Sequence, residues 1–507
     1  MRIRAVYSPD CSATDKGNMK VSRLALELAA AALALTIAAF YSIETRAALI
    51  DPDVWWHISV GDWIARHGSV PRTGILSQHI ERSWVAYSWG FDLVVSTVHR
   101  FWGLPGIVGC LIAFQVLVSF VFLLAVRHLA RTPWWSLLIA AASIYAFYIN
   151  PLRPALFTLL FFTLELLIIF EAERRRDDRL LFAMGPLFLL WANTHIQFVY
   201  GLFVLTLYVA ARLAQEIPGV SSGGMQRKPL RVPFSALLLA ATCSAVGPNG
   251  VLPHVVAIEY ATHAGDYRMI QELGAIDFRR PEHYVQLLLL MAACYAVGRA
   301  RRIDLFRAAL LVATALVSFR AMRDSWFVSI ASGFVLAEAV GQGRPVEMRT
   351  GSPQDVRPAV LYPMAALIAG VAAFALAGRL GTDTPALVSV IDRVYPLRAA
   401  DFIERAGLKG RMYNDFNWGG FLTYRLPDHP VSIDPRADLY DSDLFAQSLR
   451  TANASPGWQE DPDVVRADFV LIQRWFPLAG ALASDPHFRL VYEDHLAAVF
   501  VRQGAKR

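Results

Sequence analysis

The chain has 507 residues, of which 55% are hydrophobic and only 18% are charged, whereas a water-soluble domain usually carries about a quarter charged residues. The apolar residues stand in long blocks, such as those that begin at Leu24 and Leu156, and a helix needs about 20 mainly apolar residues to cross a bilayer. This composition excludes a small soluble domain, a fibrous protein and a disordered protein. It predicts an α-helical polytopic membrane protein.

The net charge differs between the two parts of the chain before and after residue 380. The formal net charge is +6, but the residues from 380 onward are mildly acidic and the residues before them are basic. A basic membrane part with a mildly acidic tail does not indicate nucleic-acid binding. We therefore predict a cytoplasmic N-terminal segment at 1–23, a transmembrane domain at 24–379 and a small extracytoplasmic α/β domain at 380–507.

About eleven transmembrane helices are expected from length and apolarity. Their predicted starts are Leu24, Gly106, Trp134, Ala155, Leu180, Phe198, Phe234, His283, Leu305, Asp324 and Pro358. The first apolar block is longer than the core of a typical signal peptide and lacks a convincing cleavage site, so we expect an uncleaved signal-anchor there.

Basic residues recur in alternate loops between these predicted helices, for example at 174–179 and 299–302. Because cytoplasmic loops carry an excess of Lys and Arg, we expect these loops and the N-terminus to lie in the cytoplasm. An odd number of spans then puts the C-terminal domain on the extracytoplasmic side of a multi-pass protein.

The first extracytoplasmic loop, 44–105, is too long for a simple connection. It contains Asp51-Pro-Asp-Val-Trp-Trp-His57, and the amphipathic segment that follows ends at Gly68. Since tryptophan is enriched at membrane interfaces, we expect this helix to lie flat in the headgroup layer. A second interfacial helix is expected through Trp84, Trp89, Leu93 and Trp102.

Asp51, Asp53 and His57 offer two carboxylates and an imidazole where the first span leaves the membrane. Such groups can take a proton from an acceptor nucleophile. Alternatively, Asp51 and Asp53 can bind a divalent cation such as Mg²⁺ or Mn²⁺ through oxygen ligands. A structural alternative is that both carboxylates cap the following helix.

Three arginines are expected at extracytoplasmic ends of spans: Arg153 between two prolines, and Arg320 and Arg323 beside Asp324. A guanidinium group holds phosphate or pyrophosphate through paired hydrogen bonds. The alternatives are snorkelling to the interface or an ion pair such as Arg323 with Asp324. Because ionisable groups at membrane depth are costly, three together favour a binding site.

Further candidates are expected on the same side of the membrane. Asn193 and His195 lie between two predicted spans, and Glu272 lies in a charged loop that is alternatively a solvated face. In the tail, Asp434 and Arg436 follow a predicted strand, where they either join a site or brace a turn. The elements predicted for the tail are a helix at 399–406 and strands at 431–433, 469–473 and 497–501.

These motifs carry a resemblance. The segment from Asp51 to His57, with Gly61, Trp63, Ile64, His67-Gly68 and Pro71, resembles the opening loop of a group of bacterial polytopic proteins in the GT-C glycosyltransferase superfamily. Later landmarks of that group are similar to Arg153-Pro, Trp191-Ala-Asn-Thr-His195, the Arg320/Arg323 segment, Asn417-Trp-Gly-Gly420 and Asp434-Pro-Arg-Ala-Asp438. The resemblance implies a GT-C-like transmembrane domain.

It also implies an activity: transfer of a sugar from a polyprenyl-phosphate or polyprenyl-pyrophosphate donor to a glycan, lipid or protein acceptor at the outer face of a bacterial inner membrane. Asp51 or Asp53 is then the general base or metal ligand, with His57 as an auxiliary. The predicted donor-phosphate contacts are Arg153, Arg320 and Arg323. The Trp-Trp-Asp-Tyr-Gly signature of oligosaccharyltransferases is absent, which disfavours protein N-glycosylation.

Two other functions fit some of these features. A transporter or flippase for a lipid-linked or anionic solute would use the same arginines, although we find no inverted repeat or paired broken helices. A non-enzymatic scaffold for envelope assembly would tolerate loss of Asp51 and Asp53, whereas an enzyme would not.

Overall fold

The computed structural model describes residues 47–147, 151–217, 230–262, 271–300, 303–342 and 383–504. The predicted cytoplasmic segment 1–23 and the spans predicted from Leu24 and Pro358 lie outside these residues. The described part is mostly helical, with one small sheet near the C-terminus.

Among the residues that the structure describes, twelve helices precede residue 343. They are α1 (Ala47–Ile50), α2 (Asp53–His67), α3 (Trp89–Ala130), α4 (Pro133–Phe147), α5 (Ala155–Arg175), α6 (Met184–Ala192), α7 (Phe198–Ala214), α8 (Arg231–Ser244), α9 (Leu252–Thr262), α10 (Pro281–Gly298), α11 (Leu305–Arg320) and α12 (Trp326–Gln342). Short 3₁₀ turns lie at Asp178–Ala183, Gln271–Leu273 and Met322–Asp324.

The predicted span starts between Gly106 and Asp324 fall close to described helices. Within the described residues, α3 and α5 are long and apolar enough to cross a membrane by length and composition. By contrast, α6 has only 9 residues, which is about 14 Å of helix. The predicted count of about eleven spans therefore stays a prediction.

Apolar side chains also point outward along several of the shorter helices. They recur three, four or seven residues apart, which is the spacing of a single helix face. The exposed set is Trp134, Leu138 and Tyr145 on α4, Phe234 and Leu238 on α8, Leu288, Met291 and Tyr295 on α10, and Val312 and Leu316 on α11. Exposed apolar stripes on several helices are unusual for a water-soluble surface and indicate contact with lipid.

Charged side chains join the helix ends farthest from the first loop. Arg307, at the start of α11, binds Glu173 near the end of α5 at 2.7 Å and Glu338 near the end of α12 at 2.6 Å. His128, near the end of α3, lies 2.9 Å from Glu171 of α5. The predicted basic loops adjoin this end of the helix bundle, and the candidate site residues of the first loop lie at the other end.

Helix α2 is covered on both faces, unlike the flat interfacial helix predicted above. Trp56 and Val60 pack in a cluster with Trp84 and residues of the C-terminal domain. On the opposite face, a Cβ atom added at Gly61 would overlap the backbone carbonyl of Asp92. The helix is buried because α3 and the C-terminal domain enclose it, and it ends at Gly68, whose φ is 65°.

Helix α3 contains a break that the sequence analysis treated as a loop boundary. Gly103 has non-helical backbone angles, φ 60° and ψ −151°, two residues before Pro105. The residues from Trp89 to the break pack beside α2, and the long apolar part of α3 follows it. Trp84, expected to be part of a second interfacial helix, lies in the loop before α3 and is buried.

The described C-terminal domain has a mixed four-stranded sheet in the order β1-β2-β4-β3. Its elements are α13 (Thr384–Val394), α14 (Leu397–Ala406), β1 (Met412–Asn414), α15 (Phe416–Arg425), α16 (Ser442–Ala452), α17 (Pro462–Val465), β2 (Phe469–Gln473), α18 (Pro477–Ser484), β3 (Phe488–Glu493) and β4 (Ala497–Arg502), with a 3₁₀ turn at Trp458–Glu460. Strand β1 is parallel to β2, with Met412 opposite Phe469, and the other pairs are antiparallel.

One predicted strand of this domain, at 431–433, is absent from the described sheet. Val431 instead forms an isolated bridge with Ser77 of the first loop, and the Gln78 N–H donates to its carbonyl at 2.9 Å. Gln78 also donates its side-chain amide to the Met412 carbonyl at 2.7 Å. The first loop therefore takes the hydrogen bonds that a neighbouring strand would have supplied, and it ties the C-terminal domain to the helices.

The close packing of α2 on α3 predicts that Gly61→Ala destabilises the protein. The added methyl group would overlap the Asp92 carbonyl and lie 2.6 Å from the Ser96 hydroxyl. Overpacking of this kind costs about 1–3 kcal/mol, so the thermal unfolding midpoint of the purified protein should fall. Gly109→Ala on α3 is the matched control, because a Cβ there meets nothing within 4 Å. Equal midpoints for the two variants would contradict the packing described here.

Candidate functional site

The two first-loop carboxylates are placed by the turn between α1 and α2. Pro52 fixes its own φ, here −66°, at the N-cap of α2. Asp51 accepts the Asp53 N–H through Oδ1 at 2.9 Å, and Asp53 accepts the Trp56 Nε1–H at 3.3 Å. One oxygen of each carboxylate thus satisfies a local donor, which is a backbone N–H for Asp51 and an indole N–H for Asp53. The second oxygen of each is directed to Arg153.

Arg153 binds three carboxylates from two separate segments. Its Nη2 lies 2.8 Å from Asp51 Oδ2, its Nε lies 3.3 Å from Asp53 Oδ2, and its Nη1 lies 2.8 Å from Glu272 Oε2. Arg153 stands directly before Pro154, the N-cap of α5. The ion pairs therefore join the first loop and the Gln271–Leu273 turn to the start of α5.

This arrangement changes the acid–base properties of the cluster. Burial raises the pKa of Asp51 to about 6, and the neighbouring Asp53 charge acts in the same direction while Arg153 opposes it. Burial disfavours the charge on Arg153, but Asp53, Asp51 and Glu272 hold its pKa well above the ordinary value. Arg153 is thus a permanent cation whose charge is more than balanced by its neighbours.

Arg323 lies on the turn between α11 and α12 and differs from Arg153. It makes no hydrogen bond or ion pair with any residue that the structure describes. The expected pair with Asp324 is not formed, because the two Asp324 oxygens accept from Gln197 at 2.6 Å and Tyr200 at 2.7 Å. The neighbouring Asp324 charge raises the pKa of Arg323, so the guanidinium is charged.

Tyr87 connects Arg323 to the carboxylates. It shares a hydrogen bond with Tyr260 and is close enough to Asp53 and Arg323 to interact with both electrostatically. Arg323 also interacts electrostatically with Arg153. Arg320, which has no partner among the described side chains either, lies near Tyr200. The acidic pair and the predicted arginines therefore gather at one end of the helix bundle.

His57 has a partner that the sequence analysis missed. Its Nδ1 lies 2.5 Å from Asp92 Oδ1 on α3, and both side chains are almost fully buried. The imidazole stacks near Trp56 and meets Phe91 edge-on. Burial lowers the pKa of His57 well below its usual value. Asp92 stands 35 residues from His57, and no local motif links them.

Asn193 and His195 hold neighbouring segments together. Asn193 accepts from Trp89 Nε1 at 2.9 Å and donates to the carbonyls of Leu189 and Val246, each at 2.8 Å. His195 is buried, and its Nδ1 lies 2.7 Å from the Thr158 hydroxyl. These contacts tie α3, α5 and the end of α8 to the segment that follows α6.

Asp434 and Arg436 form a buried pair that is separate from the ion pairs of Arg153. Arg436 donates to both Asp434 oxygens, at 2.9 and 2.6 Å, and the Tyr440 hydroxyl donates to the second oxygen at 2.9 Å. The Arg436 guanidinium lies over the Trp84 ring, whose Nε1 donates to Asp438 at 2.9 Å. This arrangement is the turn brace weighed in the sequence analysis, and it also holds the first loop.

The residues present do not fit a bound divalent metal. Within the described part of the chain, no group of three or more His, Cys, Asp or Glu side chains has an arrangement that could hold a metal ion. Asp51, Asp53 and Glu272 do converge, but Arg153 stands between them and contacts all three. No step of the chemistry below is therefore assigned to a metal.

No protein-family model matches the chain, and no curated protein matches it. Solved structures do. One is the oligosaccharyltransferase AglB from Archaeoglobus fulgidus, in complex with an inhibitory peptide and a dolichol-phosphate, with 13% identity over 87% of this chain and 69% of that one and a TM-score of 0.48. Another is ArnT from Cupriavidus metallidurans bound to undecaprenyl phosphate, with 15% identity over 96% of this chain and 98% of that one and a TM-score of 0.47.

Both proteins are GT-C glycosyltransferases. This is the superfamily that the motifs quoted in the sequence analysis resemble. The AglB protein was also solved in complex with Zn and sulfate, at 11% identity, a TM-score of 0.47, and coverage of 87% of this chain and 68% of that one. All these TM-scores lie below 0.5.

Asp434→Ala is expected to destabilise the protein strongly. It would leave the buried Arg436 without the carboxylate that it hydrogen-bonds, which costs about 3–5 kcal/mol. The thermal unfolding midpoint should fall, and limited proteolysis should cut earlier between the first loop and the C-terminal domain. Glu493→Ala removes an exposed partner of Arg474 and should change stability by about 0–1 kcal/mol. If both variants unfold alike, the pair is not a brace.

Proposed function

We propose that this protein is a membrane glycosyltransferase that moves a sugar from a polyprenyl-phosphate or polyprenyl-pyrophosphate donor to an envelope acceptor at the extracytoplasmic face of a bacterial inner membrane. The observation that carries the proposal is an acidic cluster, held by Arg153, together with the guanidinium of Arg323, which has no hydrogen bond or ion pair among the described residues. The outward apolar stripes support the membrane setting.

The donor phosphate needs a cation that is not already neutralised. Sugar transfer breaks the bond between the anomeric carbon and a phosphate oxygen, and negative charge develops on the departing lipid phosphate. Cations placed at that position stabilise the transition state. Arg323 is available for this role, and Arg320 extends the positive region. Arg153 is less suited because Asp51, Asp53 and Glu272 occupy it.

Asp53 is the carboxylate that we assign as the general base. Its contacts to Trp56 and Arg153 are both 3.3 Å long, whereas Asp51 is held at 2.8 Å by Arg153. The Asp53 side chain is 20% exposed and that of Asp51 is 8% exposed. Asp53 would take the proton from the acceptor hydroxyl as its oxygen attacks the anomeric carbon. Asp51 keeps Arg153 and Asp53 in position.

We propose that the donor and the acceptor reach the site from different sides. The long lipid chain of the donor would lie against the apolar surface of the helices, and its phosphate would reach Arg323 at their end. The acceptor, a glycan, lipid or protein, would enter from the aqueous side that carries the C-terminal domain. The buried surroundings of Asp51 and Tyr87 would limit competing hydrolysis by water.

Asp53→Asn is expected to abolish transfer. An amide has no basic oxygen to accept the acceptor proton, and loss of a general base typically costs about 10²–10⁴-fold in rate. The variant would be expressed in a deletion strain, and envelope glycans and lipid-linked intermediates would be measured by mass spectrometry. The lipid-linked donor should accumulate as in the deletion strain, and Asp51→Asn should behave similarly.

Asp62→Asn is the matched control, because Asp62 lies on the same helix but outside the Arg153 cluster. It should restore the wild-type glycan profile. Normal glycan levels in both Asp51→Asn and Asp53→Asn would remove the acidic pair from the reaction and favour a scaffold.

Arg323→Gln is expected to weaken binding of the lipid phosphate. A charge-assisted hydrogen bond contributes about 1.5–3 kcal/mol, so affinity should fall by about tenfold or more. Binding of undecaprenyl phosphate to the purified protein would be measured by native mass spectrometry. Arg299→Gln, at the opposite end of the helices, is the control and should bind like the wild type. Unchanged binding by the Arg323 variant would contradict the phosphate contact.

A further inference from the structure

Three carboxylates converge on Arg153, and carboxylate oxygens are ligands that divalent cations commonly use. Hard oxygen ligands from two or more chain segments are typical of Mg²⁺ and related ions. Here Asp51 and Asp53 come from the first loop, and Glu272 comes from the turn before α10. Arg153 stands where these side chains converge and pairs with each of them.

Every oxygen of this cluster already contacts a donor. Arg153 lies against Asp51 Oδ2, Asp53 Oδ2 and both oxygens of Glu272, the last at 3.0 and 2.8 Å. The remaining two oxygens accept from the Asp53 N–H and from Trp56 Nε1. A metal ion binds carboxylate oxygens at about 2.0–2.6 Å. It would have to displace the guanidinium to reach them.

Displacement is unfavourable for a physical reason. Arg153 cannot lose its proton, so removing it from the cluster would leave a permanent cation beside the incoming metal ion. Arg153 also sits between Leu152 and Pro154, both of which are buried, so its backbone is held at this position. The guanidinium and a divalent cation therefore exclude each other.

We infer that Arg153 is a fixed cation that takes the place of a catalytic divalent metal, and that sugar transfer by this protein needs no metal ion. The inference rests on the proposed function. It also assigns different tasks to the arginines: Arg153 positions the carboxylates, and Arg323 contacts the donor phosphate. Arg153 is thus a positioning residue.

The test measures Mn²⁺ binding to the full-length purified protein by electron paramagnetic resonance, which detects free Mn²⁺. The wild type should bind no stoichiometric Mn²⁺. Arg153→Met removes the charge and leaves the three carboxylates facing each other, so Mn²⁺ affinity should rise by about tenfold or more. The double variant Arg153→Met/Asp53→Asn should lose that gain, and Arg153→Lys should stay like the wild type.

One outcome overturns the inference directly. If the wild type binds one Mn²⁺ that Asp51→Asn or Asp53→Asn abolishes, a metal shares the site with Arg153. This measurement needs only the wild type and two variants, so it holds even if Arg153→Met does not fold.

A second readout separates this inference from the proposed function. In membranes from the producing strain, consumption of the lipid-linked donor should be unchanged by EDTA. A loss of consumption that added Mn²⁺ restores would refute metal independence and leave the transferase proposal intact. If deletion of the protein leaves the lipid-linked donor unchanged, the transferase proposal fails, whatever the Mn²⁺ result.

Discussion

The contact between Arg153 and three carboxylates is the interaction on which the candidate site depends. It joins the first loop to the start of α5 and to the turn at Gln271–Leu273. Its charges do not cancel, because three anions face one cation, and burial makes that excess costly. The arrangement with this excess negative charge keeps Asp53 beside the Arg153 guanidinium. Asp53 stays partly accessible there.

A second constraint comes from the C-terminal domain. The domain braces the first loop through the Asp434–Arg436 pair, whose guanidinium lies over Trp84, and through the backbone bonds between Gln78 and Val431. Helix α2 is thereby enclosed between this domain and α3. The domain therefore acts on the acidic pair indirectly, since α2 begins at Asp53 and cannot shift without disturbing both of its packed faces.

The sequence predicted span starts close to the described helices from Gly106 to Asp324, and its alternating loop charge put Asp51, Asp53 and Arg153 on one side of the predicted spans. It did not reveal Asp92 as the partner of His57, since contacts between α2 and α3 leave no local spacing pattern. The burial of α2 was also missed, because tryptophans suit a protein interior as well as a membrane interface. Val431 reads as a strand residue, but its hydrogen bonds go to the first loop.

The different surroundings of Arg153 and Arg323 make the electrostatics of the site asymmetric. Arg153 is surrounded by anions, whereas Arg323 has no described partner and faces the same region through Tyr87. An anionic ligand is repelled by the carboxylates around Arg153 and attracted by the guanidinium of Arg323. Under the proposed function, the donor phosphate would bind at Arg323, and the sugar attached to it would extend toward Asp53. In that proposal, electrostatics orients the donor before the protein makes any contact with the sugar itself.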